Sequence, residues 1–349
     1  MSLSRATVCV AGCAIVVLVM PCRAWGQADA PRKPQAADPN TVIDAYLGYE
    51  IARLGSADYD EQKAAREEII KADKPTGAGA DYFGVFDAVL NTQLSTLESA
   101  PGASIRAKIA AGIICERVAT DTLGAADKLA DADRQLLADP TPAVEAHGLK
   151  AAVTILAAMF NDPAPPPPNI LASAIIKAVK IDTPASMVDD AWNAMTLNNQ
   201  TVPPGATLQM APFVRQFLNV RRDQYVAGAP NNPNADYFGV LLLCSTFDQQ
   251  SKADQTASMQ AISDIIAVAG ERANAKNATD LSNTAKMLEN IYKGMASTKS
   301  IGEPMVNPLK DMQMKVDKKA ILQGTQAVCA NLSRGPWGAL NPPPQIIDK

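Results

Sequence analysis

The chain contains a single histidine, His147, in the run VEAHGLK. A zinc centre needs several converging ligands and a serine triad needs a base beside its nucleophile, so one imidazole supports neither. It reads as a helix residue at an interface or surface. Of six cysteines, Cys9, Cys13 and Cys22 fall before residue 30. The remaining Cys115, Cys244 and Cys329 are too widely spaced for a disulfide framework and read as buried apolar thiols, with pairing of any two left open. Acidic groups stand at Asp58–Asp60–Glu61, Asp131–Asp133 and Asp189–Asp190. Paired carboxylates can act as acid and base on glycans or ligate calcium, but at helix starts and polar faces these are expected to cap or face water. Asp127, Asp131 and Asp133 approach calcium-loop spacing without the turn glycine or closing glutamate. GMASTKS at 294–300 sets Gly294 and Lys299–Ser300 near phosphate-loop positions, yet no glycine precedes the lysine and no strand leads in. GxSxG, HExxH, CxxC and GxGxxG are missing, so no catalytic residue, cofactor or metal is assigned.

The elements that would position such groups are helices. Aromatic residues make up only 5% of the chain, alanine abounds, and strictly alternating β-branched runs are missing. Val42, Tyr46, Leu47 and Leu54 fall near helical spacing, Gly55 ends that run, and Ala64, Ala65, Ile69 and Ile70 mark a second amphipathic helix, giving a helix hairpin. Periodicity predicts further helices near 81–98, 103–119, 121–137, 141–160, 169–180, 185–197, 206–227, 235–248, 253–273, 279–297 and 307–332. Breaks fall at NDPAPPPPN (161–169), whose four consecutive prolines favour a stiff extended spacer, and at NNQTVPPGA (198–206).

One hexamer, ADYFGV, occurs at 80–85 and again at 235–240. At that constant offset of 155, Arg66 aligns with Arg221, Ala72 with Ala227, Pro75 with Pro230, and Glu116–Arg117 with Glu271–Arg272. This pattern implies internal duplication of a unit of about 150 residues, with both hexamers in equivalent surroundings. Asp81 and Asp236 are expected to accept bonds from free N–H groups of a first helical turn. Tyr82–Phe83 and Tyr237–Phe238 would anchor the helix start. Gly84 and Gly239 each cost roughly 1 kcal/mol of helix propensity relative to alanine, which a closely approaching helix would offset. A second reading makes Asp81, Tyr82, Phe83 and Gly84, with Asp236, Tyr237, Phe238 and Gly239, two recognition edges behind loops 73–80 and 228–235.

The run IARLGSADYDEQKAAREEIIKA, and ADPTPAVEAHGLKAAVTILAAM at 138–159, resemble HEAT-like repeats of secreted bacterial proteins, in which a helix ends at Leu-Gly and the next begins after an acidic, aromatic turn. The resemblance covers about 50 residues and implies an all-α solenoid of stacked helix hairpins, in two similar halves.

The first residues show Arg5, an apolar run from Ala6 to Met20, then small residues, the order of a secretory signal with cleavage after Gly26 or after Ala28, the latter preferred. Lipidation at Cys13 within VAGC and an uncleaved anchor are the alternatives. Past residue 30 no segment reads as long and apolar enough to cross a bilayer. Loss of Arg5 and Arg23 takes the formal charge from −4 to −6, which excludes a basic nucleic-acid footprint. The organisation expected is a signal peptide at 1–28, a flexible leader at 29–40, helical repeats at 41–160, a Pro-rich linker at 161–169, further repeats at 170–333, and a Pro-rich tail at 334–349, loose or laid across the last helix pair. The function expected is an exported, periplasmic or extracellular, non-enzymatic scaffold binding a protein or envelope component. The alternatives are a polysaccharide-active helical toroid using Asp/Glu pairs, for which Trp192 and Trp337 would supply sugar platforms, and a small-ligand carrier.

Overall fold

A computed structural model describes residues 30–122, 124–161, 169–197, 200–229, 233–314 and 316–344. The segment expected to be a signal peptide, with Cys9, Cys13 and Cys22, most of the 161–169 linker and the last five residues lie outside the described residues. Among the described residues there are 14 α-helices and no strand.

In chain order these are α1 (Asn40–Leu54), α2 (Tyr59–Ala72), α3 (Ala80–Ser99), α4 (Ile105–Asp121), α5 (Ala130–Ala138), α6 (Pro142–Asn161) and α7 (Asn169–Ala178). They continue with α8 (Ala185–Met195), α9 (Ala206–Val226), α10 (Pro233–Thr246), α11 (Lys252–Arg272), α12 (Ala278–Ser297), α13 (Glu303–Val306) and α14 (Lys318–Leu332). Polar caps start several of them: Asp58, Ser104, Ser251, Asn277 and Asp317 accept backbone N–H bonds in the first turns of α2, α4, α11, α12 and α14. Each cap satisfies donors that a helix leaves without an internal partner.

Among the described residues helices pack mainly on their next-but-one neighbours, with α14 following α11 past the four-residue α13. One row runs α2, α4, α6, α8, α10, α12, and the other α1, α3, α5, α7, α9, α11, α14. The rows meet through pairs such as α1 with α2, α5 with α6 and α9 with α10. Between them lies one apolar cluster that continues without interruption from Ile43 to Trp337.

Two expected helices are corrected. In place of 121–137 the chain makes a 3-10 turn at Ala126–Leu129 and then the shorter α5. Thr122 ends α4, and Asn91 of α3 accepts from the Ala132 N–H, starting α5 afresh. In place of 307–332, 3-10 turns at Asn307–Leu309 and Met312–Met314 precede α14. Pro308 has no N–H to continue a helix, and Asp311 adopts the left-handed region at φ 56°. The expectation about bilayer-length segments is also corrected, because α6 is long and apolar enough by length and composition to cross a membrane. It lies mostly inside the core, where Leu149, Ile155 and Leu156 are fully buried against flanking helices.

Of the two arrangements considered for the tail, the described part lies across α11. Asn341 N–H donates to Gln260 Oε1 at 2.7 Å, and the Thr256 hydroxyl bonds the Trp337 carbonyl. Trp337 is buried edge-on against Phe247, with ring centroids 5.9 Å apart, and its Nε1 donates to the Leu332 carbonyl at 3.0 Å. Replacing Trp337 by alanine empties that seat, and the expected loss is about 3–5 kcal/mol in urea unfolding.

Candidate functional site

The two copies of ADYFGV begin at different depths of their helices: Ala80 opens α3, whereas α10 starts two residues before Ala235. Asp81 is exposed in the first turn of α3, which has Gly79 at its N-cap and no side-chain cap bond. Tyr82 is buried and donates to the Ala72 carbonyl at 2.7 Å, while Phe83 is half-buried at its edge, 6.2 Å between centroids. Gly84 faces open space, since a Cβ there would meet nothing within 4 Å. The close-approach explanation for this glycine therefore does not hold.

The second copy is built inward. Asp236 is fully buried, with Oδ1 accepting from Trp192 Nε1 at 2.9 Å and Arg221 Nε at 3.0 Å, and Oδ2 accepting from the Tyr225 hydroxyl. The capping role expected of it is thus replaced by a side-chain network. Arg221 also donates to Gln224 Oε1 at 2.6 Å, and Gln224 reaches back to the Val179 carbonyl at 2.8 Å. The cluster ties together α8, α9, α10 and the end of α7. Gly239 admits Trp192, whose six-membered ring would collide with a Cβ at this position. Tyr237 and Phe238 stack at 4.3 Å and are half-buried.

The reason for the difference lies in the aligned positions. Trp192, Gln224 and Tyr225 correspond at the 155 offset to Ala37, Ile69 and Ile70. The first copy retains only Arg66, aligned with Arg221, and lacks the indole, amide and phenol groups, so the Asp81 carboxylate stays in water. The expectation of equivalent surroundings is corrected accordingly.

The first half places its buried polar groups elsewhere. Asp73, at the end of α2, and Asp87, on α3, are fully buried, as is Asp133 on α5. Both oxygens of Asp73 and Asp133, and Oδ1 of Asp87, have no hydrogen-bond partner. Asp87 Oδ2 lies 2.6 Å from the Thr122 hydroxyl. Burial, reinforced by the charge of Asp121 and opposed by Lys74, pushes Asp73 up to about 7. Burial pushes Asp87 up to about 8, against the Thr122 hydrogen bond and with help from Asp73 and Asp127. Burial likewise raises Glu98 to about 7 and holds Asp133 well above the carboxylate range. The expectation that Asp131 and Asp133 both face water is half overturned, because Asp131 is exposed and Asp133 is not. Asp58 does cap α2, accepting from Asp60 N–H at 2.8 Å.

His147 seats its Cβ over Gly112 of α4, and its Nδ1 lies 2.6 Å from Glu116 Oε2. Cys115, Cys244 and Cys329 are free and buried, and burial raises all three thiols. Trp192 and Trp337 are both inside the core. Gly294 packs against Leu241 within α12, and the rest of GMASTKS continues that helix and its C-terminal turn.

Open clefts flank these features, a smaller one of about 390 Å³ between α1 and α3 among them. One of about 640 Å³ is bordered by Gly228, Ala229, Arg272 and Lys318, beside the second candidate edge. Another, of about 480 Å³, runs between α11, α14 and the tail. A further one, of about 470 Å³, lies between α5 and α7. No protein-family model matches this chain, and no curated protein matches it.

Matched substitutions in the two hexamers are expected to diverge. Gly84→Ala gains about 0.5–1 kcal/mol from helix propensity. Gly239→Ala destabilises by about 1–3 kcal/mol by driving into Trp192. Asp236→Ala strands a buried guanidinium and costs about 3–5 kcal/mol, whereas Asp81→Ala loses at most about 1 kcal/mol of helix-dipole interaction. Chemical denaturation of the four variants measures these differences.

A pH dependence follows from the raised carboxyls. The folded chain keeps protons that unfolded Asp and Glu release above about pH 4, so their stabilising contribution is full below that pH and is lost as pH rises through about 7 to 8. The melting temperature is expected to be higher near pH 5 than near pH 8. Asp73→Asn with Asp87→Asn flattens that slope, as scanning calorimetry at the two pH values would record.

Proposed function

We propose that this protein is an exported, non-enzymatic α-solenoid of HEAT-like helix pairs, in two similar halves, that binds a protein or another component of the cell envelope. The observation that carries this reading is the double row of next-but-one helix contacts over a single continuous core. Stacked helix pairs make such a row because each buries its apolar flank only on its neighbours, and they present extended surfaces suited to recognition. Duplication is supported by partners that repeat at the offset: α2 packs on α4 as α9 packs on α11, and α3 on α5 as α10 on α12.

A binding role is favoured over polysaccharide turnover by where the candidate groups reside. Trp192 and Trp337 are enclosed, and Asp73, Asp87, Asp133 and Asp236 are core residues and line none of the clefts described above. Export rests on the order of charged, apolar and small residues at the N-terminus.

The test is photo-crosslinking in the native envelope with benzoylphenylalanine in place of Phe83 or Phe238, two half-buried rings at the candidate edges. Discrete covalent adducts to another envelope component are expected, with no release of reducing ends from envelope polysaccharide. Saccharide turnover by the purified chain, or no adduct at either position, would reject the reading.

A further inference from the structure

The cleft between α5 and α7 is built by one face of each helix. On α5 the lining residues are Arg134, Leu137 and Ala138; on α7 they are Ile170, Ser173, Ala174, Lys177 and Ala178, with Lys180 just beyond. Spacings of three and four residues keep each set on one side of its helix. The floor is apolar and recessed, since Leu137 and Ala178 are only 3% and 2% exposed. Ile170 stands at the rim, 56% exposed.

The rim is cationic, and Arg134 and Lys180 each hold one long ion pair while keeping about half of their side chains exposed, 46% and 57%. Arg134 lies 3.7 Å from Asp131 and Lys180 lies 3.8 Å from Glu145, both beyond hydrogen-bond distance. Lys177 is exposed and has no ion pair among the described residues. Among the described residues no acidic residue lines the cleft. In a chain of formal charge −4, three cations around an apolar trough are a local reversal of sign.

We propose that this cleft docks an acidic segment of a partner protein, one that sets an aliphatic side chain on the Leu137–Ala178 floor and its carboxylates against Arg134, Lys177 and Lys180. The proposal rests on the reading of the protein as a binding scaffold and adds the chemistry of what is bound. Charge complementarity supplies the specificity, and the buried aliphatic contact supplies the anchor. A recessed floor between two helices admits a side chain, whereas a lipid surface would meet only the rim.

Fluorescence anisotropy with a short labelled peptide of repeating Glu-Leu-Asp-Ile tests it on the full mature chain. Saturable binding that weakens as salt is raised is expected. Lys177→Glu with Lys180→Glu, both at exposed positions, is expected to weaken binding about 100-fold and to gain binding of the charge-swapped Lys-Leu-Arg-Ile peptide. Ile170→Ser, which leaves the charges in place, is expected to weaken binding about 10-fold through loss of the apolar contact. Equal affinity of parent and charge-reversed chains, no saturable binding by the parent, or capture by phosphatidylglycerol vesicles in preference to the peptide would each overturn the assignment. If the Phe83 and Phe238 adducts still form while the peptide fails to bind, the cleft assignment falls and the scaffold reading stands.

Discussion

No helix pair in this chain can hide its own apolar flank, and the structure follows from that constraint. α1 and α2 meet, but Ile43, Leu47 and Ile69 are covered fully only because α3 and α4 come next, and the same dependence is passed along the chain. The alanine-rich composition makes this workable, since small side chains let helices approach closely while each contributes modest buried area. Many small contributions must then act together, and the continuous core is their sum.

Within that frame the two hexamers show how an identical sequence can serve different ends. Asp236 sits where an arginine, a tryptophan and a tyrosine converge, and a buried ion pair of this kind is tolerable because every partner is satisfied. Asp81 has an arginine, Arg66, at one matching place but Ala37 and Ile70 at those of the tryptophan and tyrosine, and it remains solvated. In the other direction, Asp73 and Asp87 of the first half align with Gly228 and Leu242, so each half has its own set of buried polar groups. The common part is the helix arrangement, and the differences are concentrated in what each helix junction encloses.

Helical class and most helix positions were legible because a 3.6-residue period is written locally along the chain. Of the stripe Phe83, Phe86, Leu90, Leu94 and Leu97 on α3, for example, the three central residues are buried as the spacing implies and the two end residues are half-buried. The buried acids were missed for a reason that the same periodicity exposes. Asp131 and Asp133 look like one cluster in the sequence, yet residues two apart point to nearly opposite sides of a helix. Asp133 shares its side with Leu136 and Leu137, and that spacing was the available signal. No local signal separates Asp236 from Asp81, because the donors that bury it come from α8 and α9 and are nonlocal. The α5–α7 cleft was illegible for the same reason, as its two walls are more than thirty residues apart and meet only in three dimensions.

A row of stacked helices has two raw ends, and each exposes the sort of flank that interior helices cover. At the last of them, residues 334–344 fold back across α11 and wedge Trp337 against Phe247. That strap covers part of the outer face of α11 with a proline-rich segment that makes no helix of its own.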